Sequence, residues 1–236
     1  MSDRSLRIAL LGMGRMGLEI RSLAEERGIE VVAALDEVDV RPDPARAQAA
    51  LGSADVALDF TVPEAVVDNV ALCMSVGCPI VVGTTGWYDR LDEVTSMVRT
   101  SAGSLLWAAN FSVGVVAMTA LARHAGRLLR GATGFDAHLV ETHHAAKKDA
   151  PSGTGIVLAK AAGEGLGREV PISSVRTGHV PGTHELTFDG PFEQLILRHD
   201  ARNRRVFADG ALLAAAWLRG RTGVYTMNDV LGLAGR

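Results

Sequence analysis

Apolar residues recur in two different ways along the first half of this chain. Short apolar runs, such as Leu6 to Leu11 and Glu30 to Leu35, have the length and content of buried strands. Between these two runs, apolar residues return every three or four positions until Gly28, which is typical of a helix that ends at a glycine. Repeated alternation of such strands and helices predicts a parallel sheet covered by helices on both faces.

The alternation continues to about residue 112. We predict three further strands and two helices in this part of the chain: strands Val56–Phe60, Ile80–Gly83 and Leu105–Ala109, and helices Pro63–Val76 and Asp89–Arg99. Because strands and helices take turns, the first half of the chain is predicted to form one doubly covered parallel sheet.

Beyond Asn110 the pattern changes. It predicts a long apolar helix, a strand and a second helix, at Val113–Leu129, Ala137–Glu141 and Ser152–Gly165. Three segments with period-two patterning then follow without helices between them, as antiparallel neighbours would: Ile172–Val175, Thr183–Phe188 and Gln194–Asp200. The last helix is predicted at Gly210–Arg219, and the tail from Val224 to Leu233 is expected to return to the first domain.

The segment Gly12-Met13-Gly14-Arg15-Met16-Gly17 follows the first predicted strand and opens the first predicted helix. In this setting a Gly-x-Gly-x-x-Gly motif predicts a dinucleotide site, because its glycines allow a tight turn and a close approach of the backbone to a pyrophosphate. The helix start also directs its backbone N–H groups at the negative charge. Residues 1–112 and 209–236 are therefore predicted to form a Rossmann-type dinucleotide-binding domain, and residues 113–208 a smaller α+β domain with a mixed or antiparallel sheet.

Asp36 ends the second predicted strand, at the spacing where a carboxylate meets the adenosine ribose. A carboxylate accepts hydrogen bonds from ribose hydroxyls and repels a 2′-phosphate. Since Glu37 follows and no arginine does, we predict NADH as the preferred cofactor. Arg15 beside the glycines partly offsets that repulsion, so NADPH is an accepted alternative.

Bulk composition narrows the classes of function. The chain has 236 residues, 47% of them hydrophobic, and a net charge of −3, which indicates a globular protein without general attraction to nucleic acid. Its longest apolar runs fall well short of the roughly 18 residues of a membrane span, and we predict a cytoplasmic protein. Cys73 and Cys78 are too few for a disulfide framework or a zinc site, and are interpreted as buried thiols.

The densest chemistry lies in Glu141-Thr142-His143-His144-Ala145-Ala146-Lys147-Lys148-Asp149-Ala150-Pro151-Ser152-Gly153-Thr154. The two histidines exchange protons near neutral pH, the lysines pair with carboxylates, and Pro-Ser-Gly-Thr predicts a helix start that suits an anion. A solvated loop would explain a single histidine or lysine, but this combination in a chain with a dinucleotide motif favours an active site. Lys148 alone is interpreted as a surface residue.

This segment closely resembles the signature of dihydrodipicolinate reductases, the 4-hydroxy-tetrahydrodipicolinate reductases of lysine and diaminopimelate biosynthesis, and the resemblance runs from Gly12 to the C-terminal tail. It implies hydride transfer from a nicotinamide, across a cleft between the domains, to a cyclic dicarboxylate, and it suggests a homotetramer. It implies that His143 is the catalytic acid/base, that Lys147 is the proton donor, and that the substrate contacts are His144, Ser152, Gly153 and Thr154.

The resemblance also adds cofactor contacts at two strand ends, where the residues alone are equally consistent with ordinary turns. They are Gly83, Thr84 and Thr85, and the stretch Ala108, Ala109, Asn110 and Phe111. A second family block spans Ser174 to Glu185. It is interpreted as a strand pair with a tight connection, in which Arg176 either binds the dicarboxylate or stabilises a subunit contact.

Two other functions stay open at this point. An amino-acid dehydrogenase of the aspartate or homoserine type would share the first domain, although the segment from Lys147 to Thr154 argues against it. A non-catalytic homologue acting as a binding module would be expected to have lost its catalytic groups, yet His143, His144, Lys147 and Thr154 are all present.

Overall fold

The computed structural model describes residues 5–36, 44–132 and 134–233. The chain divides into two compact units, one made of Met1–Phe111 with Phe207–Arg236 and the other of Ser112–Val206. From the sequence we predicted that the first segment ends at residue 112 and the last begins at residue 209, which is one residue and two residues later, respectively.

Ten strands lie within the described residues: β1 (Arg7–Leu11), β2 (Glu30–Leu35), β3 (Val56–Asp59), β4 (Ile80–Val82), β5 (Ser104–Trp107), β6 (Asp136–His143), β7 (Ile172–Arg176), β8 (Thr183–Asp189), β9 (Gln194–Asp200) and β10 (Gly223–Tyr225). The helices in the same parts of the chain are α1 (Arg15–Glu26), α2 (Pro44–Gly52), α3 (Val66–Ser75), α4 (Leu91–Thr100), α5 (Val113–Leu129), α6 (Gly153–Leu166), α7 (Arg205–Leu218) and α8 (Met227–Val230). Short 3₁₀ turns at Pro63–Ala65 and Tyr88–Arg90 lead into α3 and α4. No helix among the residues described has both the length and the apolar character that crossing a bilayer requires.

The first unit contains the predicted parallel sheet. Its strand order is β10-β5-β4-β3-β1-β2, and every pair is parallel. The central strand β3 is buried along its whole length, as expected of a strand covered on both faces. Cys73 and Cys78 are free and buried in this core, which confirms their interpretation as buried thiols.

Two helices differ from the prediction. Helix α2 was not predicted, although Pro44 at its first position and an alanine-rich sequence both favour a helix. Helix α7 begins at Arg205, five residues before the predicted Gly210, and the side chain of Asn203 accepts a hydrogen bond from the Arg205 N–H at 3.0 Å. A local turn closed by the side chain of Asn203 therefore precedes the start that the apolar spacing did not show.

The second unit has a mixed four-stranded sheet in the order β7-β6-β8-β9. Strand β6 pairs with β7 in parallel and with β8 antiparallel, and β8 pairs antiparallel with β9. The predicted pairing of the segments now assigned to β7 and β8 was wrong, because β6 lies between them. Helix α6 is the crossover that a parallel β6–β7 pair requires.

Alternation along β6 and β8 separates two faces of this sheet. Leu139, Leu186 and Phe188 are fully buried together with residues of α5 and α6. The same alternation places three polar residues on that buried face, Glu141, His143 and His184, of which none is more than 8% exposed. The fold thus buries a polar cluster at one end of an apolar core, where an unpaired charge would be strongly disfavoured.

Candidate active site

The glycine motif forms a tight turn between β1 and α1. Gly12 has a φ of +88°, which favours glycine, and its N–H donates to the carbonyl of Leu35 at 2.8 Å. A Cβ on Gly17 would lie 2.1 Å from the carbonyl oxygen of Gly12, so only glycine lets the helix pack this closely on the turn. No atom lies within 4 Å of a Cβ built on Gly14, which leaves room at the helix start for a pyrophosphate.

Asp36 closes this turn from the end of β2. Its Oδ1 accepts a hydrogen bond from the Met13 N–H at 2.6 Å, and its side chain is exposed. Arg15, the first residue of α1, is exposed as well, and Met16 is half-buried. Glu37, which supported the expectation of NADH, lies outside the described residues. The turn fits the adenosine half of a dinucleotide, because its backbone and its carboxylate are already fixed to each other.

A buried carboxylate organises the neighbouring strand ends. Asp59, at the end of β3, is fully buried and accepts hydrogen bonds from the Thr61 N–H, the Thr61 hydroxyl, the Asn69 amide and the Thr84 hydroxyl, at 2.7 to 2.9 Å. Sequence reasoning missed this network. The network engages the hydroxyl of Thr84, which fixes the segment after β4.

The other predicted cofactor stretch follows β5 in the same parallel sheet. Ala108 is buried and its N–H donates to the carbonyl of Val82 at 3.2 Å, whereas Ala109 is exposed and Asn110 half-buried. The ring of Phe111 packs against Phe60, with centroids 5.7 Å apart. Because the carboxyl ends of parallel strands share one edge, this stretch lies on the same edge as the glycine turn and Gly83.

Strand β6 carries the central pair of the second unit. Glu141 and His143 are two residues apart, so both side chains point to the buried face. The Nδ1 atom of His143 lies 2.5 Å from Oε2 of Glu141, and their side chains are 10% and 0% exposed. Neither atom has another hydrogen-bonding partner in the described structure.

The other oxygen of Glu141 is held from two sides. Arg176, at the end of β7, places Nη2 2.7 Å from Oε1, and the Ser152 N–H donates to the same oxygen at 3.3 Å. Burial alone would raise the pKa of Glu141, but hydrogen bonds from Ser174, Arg176 and Ser152 lower it to about 2. The carboxylate is therefore ionised at neutral pH, and the guanidinium of Arg176 pairs with it inside the second unit.

His184 on β8 stands against His143. Their ring centroids are 5.2 Å apart, and Nε2 of His184 lies 3.3 Å from the hydroxyl of Ser152. Burial is the main cause that lowers the pKa of His184 to about 4, and the electrostatic effect of the neighbouring His143 is the second cause. Burial also lowers the pKa of His143, helped by the charges of Lys147 and Arg176 and opposed by Glu141. Both rings are neutral at pH 7 in the structure as it stands.

The depressed pKa of His184 predicts an acid-sensitive fold. In the unfolded chain this ring binds a proton near pH 6.5, whereas in the folded protein it does so near pH 4. Stability should therefore fall as the pH is lowered from about 6.5 to about 4, by about 3 kcal/mol for this group. Denaturant unfolding across this range, compared between the wild type and His184→Gln, measures the effect. Parallel curves for the two proteins would contradict it.

Ser152 caps helix α6. Its hydroxyl accepts a hydrogen bond from the Gly155 N–H at 3.0 Å, and its side chain is 2% exposed. The hydroxyl thus has a structural role, and the predicted substrate contact at Ser152 stays a prediction. Gly153, the first helical residue, is exposed, and no atom lies within 4 Å of a Cβ built there. The start of this 14-residue helix, at Gly153 and Thr154, is where an anion would be stabilised.

Lys147 has a partner that the sequence reasoning did not assign. Its Nζ lies 2.8 Å from Oδ1 of Asp149, and this hydrogen bond lowers the pKa of the Asp149 carboxyl. Arg176 also donates to the backbone carbonyl of Asp149 at 2.5 Å, which ties the segment to β7. His144 is half-buried beside it. A substrate carboxylate would compete with Asp149 for Lys147.

One cluster in the described residues has the composition of a cation site. Glu141, His143 and His184 offer ligand atoms within 4.8 Å of one another. Oε1 of Glu141 is already paired with Arg176, however, which neutralises its charge, and Oε2 faces His143. We therefore treat the cluster as an ion-paired unit.

The structure brings most of the sequence-predicted residues of the second unit together, and it adds others. His143, Ser152 and the start of α6 converge on Glu141, and the segment that carries Lys147 is tied to Arg176. His184, Asp149 and the role of Glu141 were missed. A Glu and a His two residues apart on one strand would have indicated the pairing of Glu141 with His143. His184 approaches these two residues only through the β6–β8 pairing, which the sequence does not show.

Two family sequence models match the chain. The model described as "Dihydrodipicolinate reductase, N-terminus" matches residues 6–111, and the model described as "Dihydrodipicolinate reductase, C-terminus" matches residues 114–231. Together they include the glycine turn, the cluster around Glu141 and the start of α6.

Curated relatives and solved structures agree with these matches. A protein of Christiangramia forsetii named 4-hydroxy-tetrahydrodipicolinate reductase is 34% identical over 96% of this chain and 98% of its own. A Rhodopseudomonas palustris protein of the same name is 38% identical over 99% of both chains. A dipicolinate-bound dihydrodipicolinate reductase from Paenisporosarcina sp. TG-14 has a TM-score of 0.80 and 25% identity, covering 94% of this chain and 98% of that one. Aspartate dehydrogenase from Thermotoga maritima, with a TM-score of 0.51, 10% identity and coverage of 92% and 98%, shares the fold alone.

Proposed function

The chain belongs to the dihydrodipicolinate reductase family, and from that membership we propose how its residues divide the work of the reaction. The protein is an oxidoreductase that reduces 4-hydroxy-tetrahydrodipicolinate to tetrahydrodipicolinate in lysine and diaminopimelate biosynthesis, with a nicotinamide dinucleotide as reductant. The observation that carries this conclusion is the match of both family models over nearly the whole chain.

The first unit binds the cofactor. Gly12, Gly14 and Gly17 admit the pyrophosphate, Asp36 accepts from the adenosine ribose, and the segments after β4 and β5 contact the nicotinamide half: Gly83 and Thr85, then Ala108, Ala109, Asn110 and Phe111. When bound, the nicotinamide supplies a hydride to the substrate ring. The buried Asp59 network holds the segment after β4 in place for this contact.

The second unit binds the dicarboxylate and supplies a proton. The start of α6 at Gly153 and Thr154 stabilises one carboxylate, and His144 contributes a polar contact. Loss of the 4-hydroxyl as water, with a proton taken from the neighbouring ring carbon, gives a conjugated C=C–C=N system. Adding a hydride to this system leaves negative charge on the neighbouring atoms, which an acid must neutralise. Lys147, released from Asp149 by the substrate, is placed to donate that proton, and His143 acts as the acid/base beside it.

Turnover of the intact protein tests the reaction. The substrate is generated in the cuvette by a dihydrodipicolinate synthase from pyruvate and aspartate semialdehyde, and oxidation of NADH or NADPH is followed. Synthase-dependent oxidation supports the proposal. Tight cofactor binding without turnover of this substrate would overturn it. Turnover of aspartate or homoserine would then identify an amino-acid dehydrogenase. If the protein turned over none of these three compounds, it would be identified as a binding module.

We expect a higher kcat/KM with NADH than with NADPH. The exposed carboxylate of Asp36 accepts from a ribose hydroxyl but repels a 2′-phosphate, and one of its oxygens is fixed by the Met13 N–H. In Asp36→Asn the ratio of kcat/KM with NADH to kcat/KM with NADPH should therefore fall, mainly through a lower KM for NADPH. A wild-type preference for NADPH would contradict the expectation and would point to Arg15.

We also propose that the protein is a cytoplasmic homotetramer that assembles through the sheet of the second unit. The face of this sheet opposite α5 and α6 carries apolar residues that are exposed in the single chain, among them Val175 and Ile196, at 42% and 48%. Light scattering after size-exclusion chromatography measures the mass, and a monomeric mass would refute this assembly.

A further inference from the structure

The strongest unexplained contact in the second unit joins Glu141 to His143. Oε2 of Glu141 and Nδ1 of His143 lie 2.5 Å apart, both are buried, and neither has another hydrogen-bonding partner among the described residues. The roles assigned so far use His143 but leave Glu141 without a function. Burial of a carboxylate costs free energy, so a fully buried carboxylate next to a reacting histidine indicates that the carboxylate acts on that histidine.

The charge of Glu141 fixes which ring nitrogen of His143 carries the proton. An ionised carboxylate only accepts hydrogen bonds, so the facing Nδ1 must be the N–H of the neutral ring. Nε2 is then the basic nitrogen and faces away from Glu141. It also lies next to Gly182, where a Cβ would stand only 3.1 Å from Nε2, so the glycine keeps that side of the ring open.

Glu141 is itself held rigidly from three elements. Arg176 on β7 and the N–H of Ser152 before α6 bind its Oε1, and β6 carries the residue between them. The carboxylate therefore cannot turn to offer a different oxygen without losing these contacts. This is the geometry expected of a group that orients a catalytic ring from behind.

We propose that Glu141 is a positioning residue for the reduction, which holds His143 with Nδ1–H inward so that Nε2 alone serves the substrate. The inference rests on the proposed role of His143 in the reaction. Glu141 contacts neither the substrate nor the cofactor in this assignment, and it acts through the imidazole.

The substitution Glu141→Gln reverses the tautomer instead of only removing a charge. Arg176 and the Ser152 N–H are both donors, so they keep the glutamine carbonyl oxygen on their side. The glutamine NH₂ group is then turned to Nδ1 of His143 and donates to it. Nδ1 becomes the acceptor, and the proton moves to Nε2, so this nitrogen can no longer take up the proton that an acid/base exchanges with the substrate.

Steady-state kinetics of Glu141→Gln tests the proposal. We expect kcat to fall roughly 10- to 100-fold with little change in the KM for substrate. Glu164→Gln is the matched control, because it breaks an exposed ion pair with Arg123 in the same unit and should leave kcat unchanged. An inactive wild type would count against the proposed function, whereas an active wild type with an unaffected Glu141→Gln would overturn only the positioning role.

A double variant separates positioning from folding. If Glu141 acts through His143, Glu141→Gln should lower kcat in the wild type but not further in a His143→Ala background. Equal losses in both backgrounds would overturn the proposal.

The groups that face His143 are Glu141 on β6, Lys147 after it, Arg176 on β7 and His184 on β8. Removing the one negative charge among them should move the His143 limb of the pH profile of kcat/KM to lower pH.

The tautomer can also be read without any turnover. Imidazole ¹⁵N chemical shifts of the wild type near pH 8, assigned by the signals lost in His143→Ala, should show His143 protonated at Nδ1. Glu141→Gln should shift the proton to Nε2. An Nε2–H ring in the wild type would overturn the proposal, even if the variant does not fold.

Discussion

Lys147→Ala is expected to lower kcat by roughly 10²- to 10⁴-fold, the range that a positioned proton donor typically contributes. The KM for the dicarboxylate should rise by a smaller factor, because the start of α6 still binds a carboxylate. The side chain of Lys147 is 23% exposed and its Nζ is held by Asp149 at 2.8 Å, so the ammonium is oriented before the substrate arrives. Steady-state kinetics over a range of substrate concentrations measures the two effects separately.

The neighbouring lysine provides the matched control for this prediction. Lys148 is exposed, has the same charge and was interpreted as a surface residue, so Lys148→Ala should retain the kcat of the wild type. A loss confined to KM in Lys147→Ala would show that Lys147 only binds the carboxylate. Equal losses in both variants would point to general attraction of the dianion.

Gly17→Ala is expected to reduce kcat/KM for the cofactor by roughly 10²-fold or more. A Cβ at this position would lie 2.1 Å from the carbonyl oxygen of Gly12, so the helix and the turn must separate by about 1 Å or more. That displacement moves the N–H groups at the helix start away from the pyrophosphate. Both the dissociation constant of the cofactor, by fluorescence titration, and the melting temperature should change.

Two other glycines make this prediction specific. Gly14→Ala adds a methyl group into open space, so it should weaken cofactor binding while leaving the melting temperature close to that of the wild type. Gly52→Ala, at the end of α2, also meets no atom within 4 Å and should change neither quantity. A Gly17→Ala protein that binds cofactor like the wild type would mean that the turn does not carry the pyrophosphate.

The sequence predicted strands β1 to β5 of the first unit well because these elements are encoded locally, whereas β10 and α8 were predicted only as a tail that returns to this unit. Short apolar runs predicted all of the strands β1 to β5, and the motif after β1 predicted the turn that the structure contains. Helix α2 was missed because its alanines give little amphipathic contrast, and periodicity depends on that contrast. Helical propensity, summed over the segment, would have found it.

The second unit was harder because its pairing is not local. Period-two patterning predicted β8 and β9 correctly but carries no information on which strand lies next to which. The insertion of β6 between β7 and β8 was therefore missed, and with it the approach of His184 to His143. The signature segment showed which groups were reactive, whereas the partners of Glu141 required knowledge of the sheet order.

The sheet order also has a consequence for how this unit folds. Glu141 reaches its neutralising partner across 35 residues, and Ser152 reaches His184 across 32. Until β7 docks, burial of Glu141 would leave an unpaired charge in an apolar core, a state that is disfavoured by several kcal/mol. We therefore expect strand β6 to settle against α5 and α6 only once the chain has closed the loop that brings Arg176 to Glu141. Refolding time courses should then show catalytic competence returning together with the last compaction of this unit, because the pairing of Glu141 with Arg176 completes both the core and the cluster around His143.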